Sequence, residues 1–303
     1  MAQNYPNTNK HSRSLYATSI SHPTTISLVS QLTSPLIDIG ANLGHRSFNN
    51  DLKPVLKRAS DCKLSDVIIT GTSVRASRQN IELCKTYEQQ QQDVKLHCTV
   101  GIHPHEATRH SLFNYRQQLV ELLDKKDNYV VAIGECGLDF DRNFSKEHDQ
   151  LKVFENHLEL AVEYNLPLFM HERQASTQMI NLLEKYSNHK NFRGVIHCFT
   201  TSSTDALNKY LNMNLYIGIT GWICDERRGK DLQQIVHNIP LDKLLIETDA
   251  PFLLPRTMPK PWPQINEPSN LVYVADKIAK CYNMSIDEIG KHSSENTKRL
   301  FQI

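Results

Sequence analysis

Between residues 36 and 246 the chain alternates, eight times over, between a short apolar run and a longer stretch of helical periodicity. The runs are 36–39, 66–70, 95–100, 129–133, 168–170, 194–196, 215–217 and 244–246. They are short and rich in Val, Ile and Leu, as strands buried on both faces must be. Between them, 51–62 carries one apolar stripe through Leu52, Val55, Leu56 and Ala59, and 147–164 carries another through Leu151, Phe154, Leu158, Ala161 and Val162. The stretches 77–87, 113–123, 177–183, 204–211 and 231–236 follow the same rhythm, and 270–280 closes it. Strands that alternate with helices pair in parallel, and eight of them close into a barrel. An open doubly wound sheet is the competing architecture. It calls for a glycine-rich phosphate loop after the first strand, but Gly40-Ala41-Asn42-Leu43-Gly44-His45 has the wrong glycine spacing and no Walker lysine follows. The expected fold is therefore α/β, a TIM-like (β/α)8 barrel forming a single domain over residues 36–303.

Bulk properties narrow the function classes. With 39% apolar and 22% charged residues in 303, the chain can bury a large core, which excludes disorder over most of its length. A formal net charge of +1 excludes a global basic field, so any nucleic-acid binding must come from a local site. The 7 cysteines are odd in number and contain no CxxC pair, the pattern of reduced thiols in an intracellular protein. No apolar run reaches the roughly 18 residues of a membrane span, and no secretory h-region is present. Residues 1–35 lack Asp and Glu, are rich in Ser, Thr, Asn and His, and carry only Lys10 and Arg13 as basic groups. They read as a disordered tail, with a weak organelle-targeting peptide as the rival. The expected location is cytoplasmic or nuclear, with a mitochondrial one open. Six prolines in 251–268 predict an irregular loop serving as a lid or wall after the eighth strand.

Ionisable residues gather where barrel chemistry sits, at the C-terminal ends of strands. Asp38 lies in strand one, with Asn42 just beyond it. His103 and His105 follow strand three, Glu135 and Asp139 strand four, His171, Glu172 and Arg173 strand five, His197 strand six, and Glu247 and Asp249 strand eight. A lone histidine at such a place is as readily a core residue with one internal hydrogen bond. Two of them converging with Glu135 and Asp249 on one mouth are costly as mere packing, and a divalent cation removes that cost. Glu135, His171 and His197 are thus the expected ligands of one metal, with Glu135 able to bridge to a second. Asp249 is expected to bind metal or deprotonate the attacking water. His103 and His105 are placed to hydrogen-bond a phosphate or protonate a leaving oxygen. Asp139 is placed to orient an imidazole. Arg173 has the planar fork for a phosphate. Trp222 with Arg227, in the run Asp225-Glu226-Arg227-Arg228, suits a stacked base and its phosphate as well as it suits a solvated loop. Cys136 and Cys198 each follow a ligand by one residue, so their side chains are expected to point away from the mouth.

The motifs, taken in order, resemble the TatD family of metal-dependent deoxyribonucleases, within the metal-dependent amidohydrolase superfamily. They are Ile37-Asp38-Ile39-Gly40-Ala41-Asn42-Leu43, Gly101-Ile102-His103-Pro104-His105, Gly134-Glu135-Cys136-Gly137-Leu138-Asp139, Phe169-Met170-His171, His197-Cys198-Phe199-Thr200, Gly218-Ile219-Thr220-Gly221 and Glu247-Thr248-Asp249-Ala250-Pro251, with Asn296 near the end. The resemblance runs from Leu36 to the C-terminus. It implies a TIM-like barrel, a magnesium- or manganese-type site, and exonuclease action from the 3′ end of DNA with a preference for single strands. Roles in DNA repair and in DNA fragmentation during cell death are attributed to relatives. By the match, Glu135, His171 and His197 fall on metal ligands, Asp249 on the catalytic or second-metal aspartate, and His103 and His105 on active-site histidines. One departure stands out: much of the family has an HxH pair ending strand one, where this chain has Gly40 and Asn42. That leaves the count at one or two ions and tilts the metal from zinc toward Mg2+ or Mn2+.

The expected function is a divalent-metal-dependent deoxyribonuclease, a 3′-5′ exonuclease on single-stranded DNA, with RNA open because a phosphate-reading site sees both backbones. The expected partner is that DNA, with no membrane, and the protein is expected to be a monomer. The alternatives are a barrel amidohydrolase acting on a small cyclic amide or N-acyl substrate, and a non-catalytic nucleic-acid-binding barrel.

Overall fold

The computed structural model describes residues 20–49, 52–90, 93–111 and 114–303. Eight strands hydrogen-bond in sequence order, each parallel to the next: β1 (Leu36–Ala41), β2 (Leu64–Ile69), β3 (Lys95–Val100), β4 (Val130–Asp139), β5 (Leu168–Arg173), β6 (Gly194–His197), β7 (Tyr216–Ile219) and β8 (Leu244–Ile246). The ring closes at its C-terminal rim. There the Asn42 amide donates to Ala250 O at 2.7 Å and the Asp249 amide to Gly40 O at 2.8 Å, around a parallel bridge between Ala41 and Ala250. The expected barrel is what forms.

The two-residue repeat of a strand explains how short apolar runs serve two layers at once. Ile39, Ile68, Ala132, Phe169, Val195, Tyr216 and Leu245 form one buried cluster. Their chain neighbours Val67, Ile69, Ile133, Leu168, Met170, Ile196, Ile217, Leu244 and Ile246 belong to the larger cluster under the helices. The first set therefore fills the barrel and the second binds the helical ring. Counting on by two from Phe169, Val195 and Leu245 reaches His171, His197 and Glu247, which puts all three on the inner face.

The helices follow the periodicity closely, with Glu147–Tyr164 at the expected bounds and its C-terminus turned by Asn165 in the left-handed conformation, φ 53°. The expected helix starts at 51 and 113 lie outside the described residues. Two helices depart from the sequence reading. Pro23–Ser30 is helical, with Thr25 Oγ1 2.5 Å from the hydroxyl of Tyr273, so the later part of the stretch read as a disordered tail is ordered against the barrel. Residues 1–19 of that stretch lie outside the described residues. The second, Ile286–Phe301, opens on a capping box between Ser285 and Glu288. It delivers Leu300 and Phe301 to the interior cluster and Asn296 Nδ2 to the carbonyls of Leu241 and Leu244, flooring the barrel opposite the mouth.

The proline-rich loop after β8 is an ordered wall. Glu267 grips Arg58 through paired hydrogen bonds of 2.8–3.0 Å, and Asn266 Nδ2 donates to Thr248 O at 3.0 Å. Among the described residues no helix is long and apolar enough to cross a membrane.

Candidate active site

At the C-terminal mouth lies a cavity of about 870 Å³ lined by Asn42, His103, His105, Glu135, His171, Arg173, His197, Trp222 and Asp249, all expected from the sequence. Its centre is one carboxylate oxygen. Oε1 of Glu135 lies 2.8 Å from His197 Nε2, 3.1 Å from His103 Nε2 and 3.3 Å from His171 Nδ1. Glu135 reaches this place because β4 shifts register against β5 between Gly134 and Cys136, which releases Glu135 from the ladder. Its amide instead donates to Gly71 O at 2.8 Å. The turn needs glycine at 134: φ is +145°, and a Cβ there would sit 2.2 Å from Phe169 O.

The second nitrogen of each imidazole sorts the three rings into two kinds. His197 Nδ1 donates to Glu247 Oε2 at 3.3 Å, leaving Nε2 turned to Glu135. His171 Nε2 lies 3.5 Å from Asp139 Oδ2 without a hydrogen bond, leaving Nδ1 turned to Glu135. A carboxylate behind the far nitrogen is how a metal-binding imidazole is oriented, because it fixes the tautomer with a lone pair forward. His103 differs. Its Nδ1 accepts from the His105 amide at 3.0 Å, so the neutral ring carries its proton on Nε2 and donates it to Glu135. His103, Glu135 and His171 offer atoms within 4.8 Å of one another, a spacing at which an ion can be held. By tautomer, however, His103 is a donor.

Charge follows this layout. Burial opposes ionisation of Glu135, but His103 and His197 overcome it and hold the carboxyl well below its usual range. Burial opposes protonation of His197 too, yet Glu135 and Glu247 raise it well above the ordinary imidazole value; His171 is raised similarly by Asp139 and Glu135. His103 goes the other way, pushed by burial down to about 4 and so neutral at physiological pH. Asp249 is pushed up to about 7, chiefly by burial, and its Oδ1 accepts from Asn42 Nδ2 at 3.1 Å. Beneath it Asp38, fully buried, accepts from the Thr248 hydroxyl at 2.5 Å and amide at 2.9 Å, and burial raises it to about 8.

The remaining expected residues divide. His105 Nε2 sits 2.6 Å from Asp139 Oδ2, the orienting role expected of that aspartate. Arg173 faces the cavity while its Nε holds Asp141 at 2.7 Å. Arg227 pairs with Asp225 and does not line the cavity; Arg228 does, its guanidinium 4.2 Å over the Trp222 ring. Glu172 is taken up by the Ala175 amide at 2.8 Å. Cys136 points away, its thiol 3.7 Å from Phe169 O, whereas Cys198 lines the mouth, contrary to expectation, because its left-handed φ of 48° turns it there. The missing HxH pair also has a structural reason. A Cβ at Gly40 would lie 2.3 Å from Glu247 Oε2, so the carboxylate that orients His197 occupies the room a first histidine would need. His45, Arg142 and Phe252 at the rim escaped the sequence reading, since loop residues carry no periodicity.

Comparison with known proteins agrees with this geometry. The family model described as TatD related DNase matches residues 37–302. The chain is 39% identical over 269 residues to a protein named 3′-5′ ssDNA/RNA exonuclease TatD from Shigella flexneri serotype 5b, covering 88% of this chain and 99% of that one. A hydrolase TatD family protein from Entamoeba histolytica has a similar crystal structure, with TM-score 0.79, 28% identity and coverage of 89% and 99%. A TatD homologue from Escherichia coli K12 superimposes with TM-score 0.79 at 25% identity, covering 91% and 99%. This chain belongs to the family of TatD-related DNases.

Proposed function

We propose that this protein is a divalent-metal-dependent nuclease that removes nucleotides from the 3′ end of single-stranded DNA, and of RNA where it meets it. The observation that carries the reading is the meeting of His171 Nδ1 and His197 Nε2 at one oxygen of Glu135, each ring backed by a carboxylate. Glu135, His171, His197 and Asp249 are the proposed ligands, with room for one or two ions if Glu135 bridges. The convergence of two imidazole nitrogens, His171 Nδ1 and His197 Nε2, on a buried carboxylate oxygen is a donor set that fits such an ion. Cys198 lines the mouth, but its thiol lies against Thr220 Oγ1 at 3.7 Å and burial keeps it protonated; with no HxH pair on strand one, this favours Mg2+ or Mn2+ over Zn2+. When bound, the metal supplies a Lewis acid that makes water acidic near neutrality and offsets charge on the phosphate.

The chain's own groups do the rest. Asp249, steadied by Asn42, takes the proton of the attacking water. Neutral His103 donates from Nε2 to a non-bridging oxygen. His105, held beside Asp139, carries the proton for the leaving oxygen. Arg173 and Arg228 meet the backbone phosphates at the rim. Three arginines lining the mouth, counting Arg142, suit an anionic polymer better than the small cyclic amide of the amidohydrolase alternative. A monomer suffices, since every group named comes from one chain, and the seven free cysteines suit an intracellular place. End-labelled single-stranded DNA incubated with Mg2+ or Mn2+, with and without chelator, tests this. Chelator-sensitive loss of single nucleotides from the 3′ end is expected. Tight binding without cleavage would support the non-catalytic alternative.

A further inference from the structure

Among the described residues three large apolar side chains are strongly exposed: Ile26, Phe144 at 69% and Phe252 at 46%. Ile26 lies on the N-terminal helix. Phe252 lines the mouth and Phe144 stands beside it against the mouth-lining His105, and both are built the same way. Phe144, in the loop after β4, packs edge-on against His105, which follows β3, with centroids 4.8 Å apart and planes at 75°. Phe252, in the loop after β8, packs edge-on against His45, which follows β1, at 5.7 Å and 67°. Each histidine thus braces a ring from the neighbouring strand's loop. Because the strands run in order around the ring, β4 and β8 lie four strands apart, on opposite sides of the mouth. Glu135, the proposed metal ligand, lines the cavity at this mouth, and Arg142, Arg173 and Arg228 share its rim.

We propose that Phe144 and Phe252 are two base-stacking platforms that seat unpaired nucleobases on either side of the phosphodiester being cut. This rests on the nuclease reading above and gives its substrate preference a physical source. A braced ring with a bare face offers a surface that every base can use, so the grip is independent of sequence. Arginines between the rings neutralise the intervening phosphates. A paired base has its faces covered by its neighbours in the helix and must be unstacked before it can use either ring. The rim therefore selects single strands through stacking, with no base edge read.

The test is binding to the whole protein in chelator, which separates grip from chemistry. The probe is a single-stranded DNA oligomer, either intact or abasic at its two 3′-terminal residues. Wild type is expected to bind the intact oligomer about 30-fold more tightly than the abasic one, the low end of the range for two stacked bases. In F144A/F252A that ratio is expected to fall to about 1, and Phe→Trp at both positions is expected to restore it. Both rings are exposed, so their removal leaves the core intact. A wild-type ratio near 1, or a ratio that survives in the double variant, overturns the proposal. Cleavage of the intact oligomer in Mn2+ is scored separately. A protein that cuts but ignores missing bases keeps the nuclease reading and loses the platforms. One that discriminates but never cuts keeps the platforms and loses the nuclease reading.

Discussion

Nε2 of His197 lies 2.8 Å from Oε1 of Glu135, although one residue ends β6 and the other leaves the ladder of β4. The other nitrogen of the same ring holds Glu247 on β8's far end. An imidazole fixed between two carboxylates is poised to exchange the proton on one nitrogen for a cation, with that proton released to solvent, while keeping its orientation from the other.

Glu135 is the only carboxylate among the described residues that faces all three of His103, His171 and His197. Glu135→Ala should lower kcat/KM on single-stranded DNA by at least about 10²–10³-fold, as loss of a group that stabilises transition-state charge does. The far-UV circular dichroism spectrum should stay unchanged, because the residue sits at the rim and not in the packed interior.

Glu247 acts at one remove, through His197. Glu247→Gln should weaken metal binding by about 10–100-fold, the usual effect of losing the partner that orients a ligand histidine. Titration calorimetry with Mn2+ reads this directly. At saturating metal much of kcat should return, which distinguishes Glu247 from Glu135.

Loading the site must expel protons. Asp249 is raised to about 7, and His171 and His197 lie above the ordinary imidazole value, so the apparent metal affinity should fall as pH drops below about 7. Calorimetry in two buffers of different ionisation enthalpy should show proton release near pH 7.

Stability in chelator should run the opposite way. Asp38, raised by burial to about 8, binds a proton in the folded state over a range where the unfolded chain has lost it. Its contribution is fully present below the ordinary carboxylate value and lost as pH rises through about 8. The melting temperature of the chelated protein should therefore decline from pH 6 to 9, and Asp38→Asn should flatten that decline.

Much of this was legible in the sequence because strands buried on both faces leave an unmistakable texture. Three of the apolar runs lead to polar residues, His171, His197 and Glu247, whose parity from Phe169, Val195 and Leu245 sets them facing inward. The inward turn of Glu135 obeys no such parity, since it depends on the register shift at Gly134; its place at the end of strand four pointed to the mouth, but not to the way its side chain turns. Arg227 was expected at the mouth and its neighbour Arg228 stands there instead, because a loop has no fixed period to say which of two adjacent side chains turns inward. The helix Pro23–Ser30 was hidden by weak amphipathicity: it is tied to the barrel by Thr25 and Tyr273, a contact between distant parts of the chain. The last helix did carry a readable signal, the Ser285-to-Glu288 capping box.

Arg173 provides a check on substrate contact. Arg173→Ala should weaken binding of single-stranded DNA and reduce the slope of log affinity against log salt by about 0.7, the loss of one phosphate contact. Fluorescence anisotropy across a salt series measures both.

The most direct measurement is an anomalous difference map from crystals grown with Mn2+. The expected result is a peak bonded to Glu135, His171 Nδ1 and His197 Nε2, with His103 donating to a neighbouring oxygen and outside the coordination sphere. A saturated crystal with no peak there, or a peak that leaves His171 and His197 unbound, would contradict a metal-centred nuclease site at this mouth.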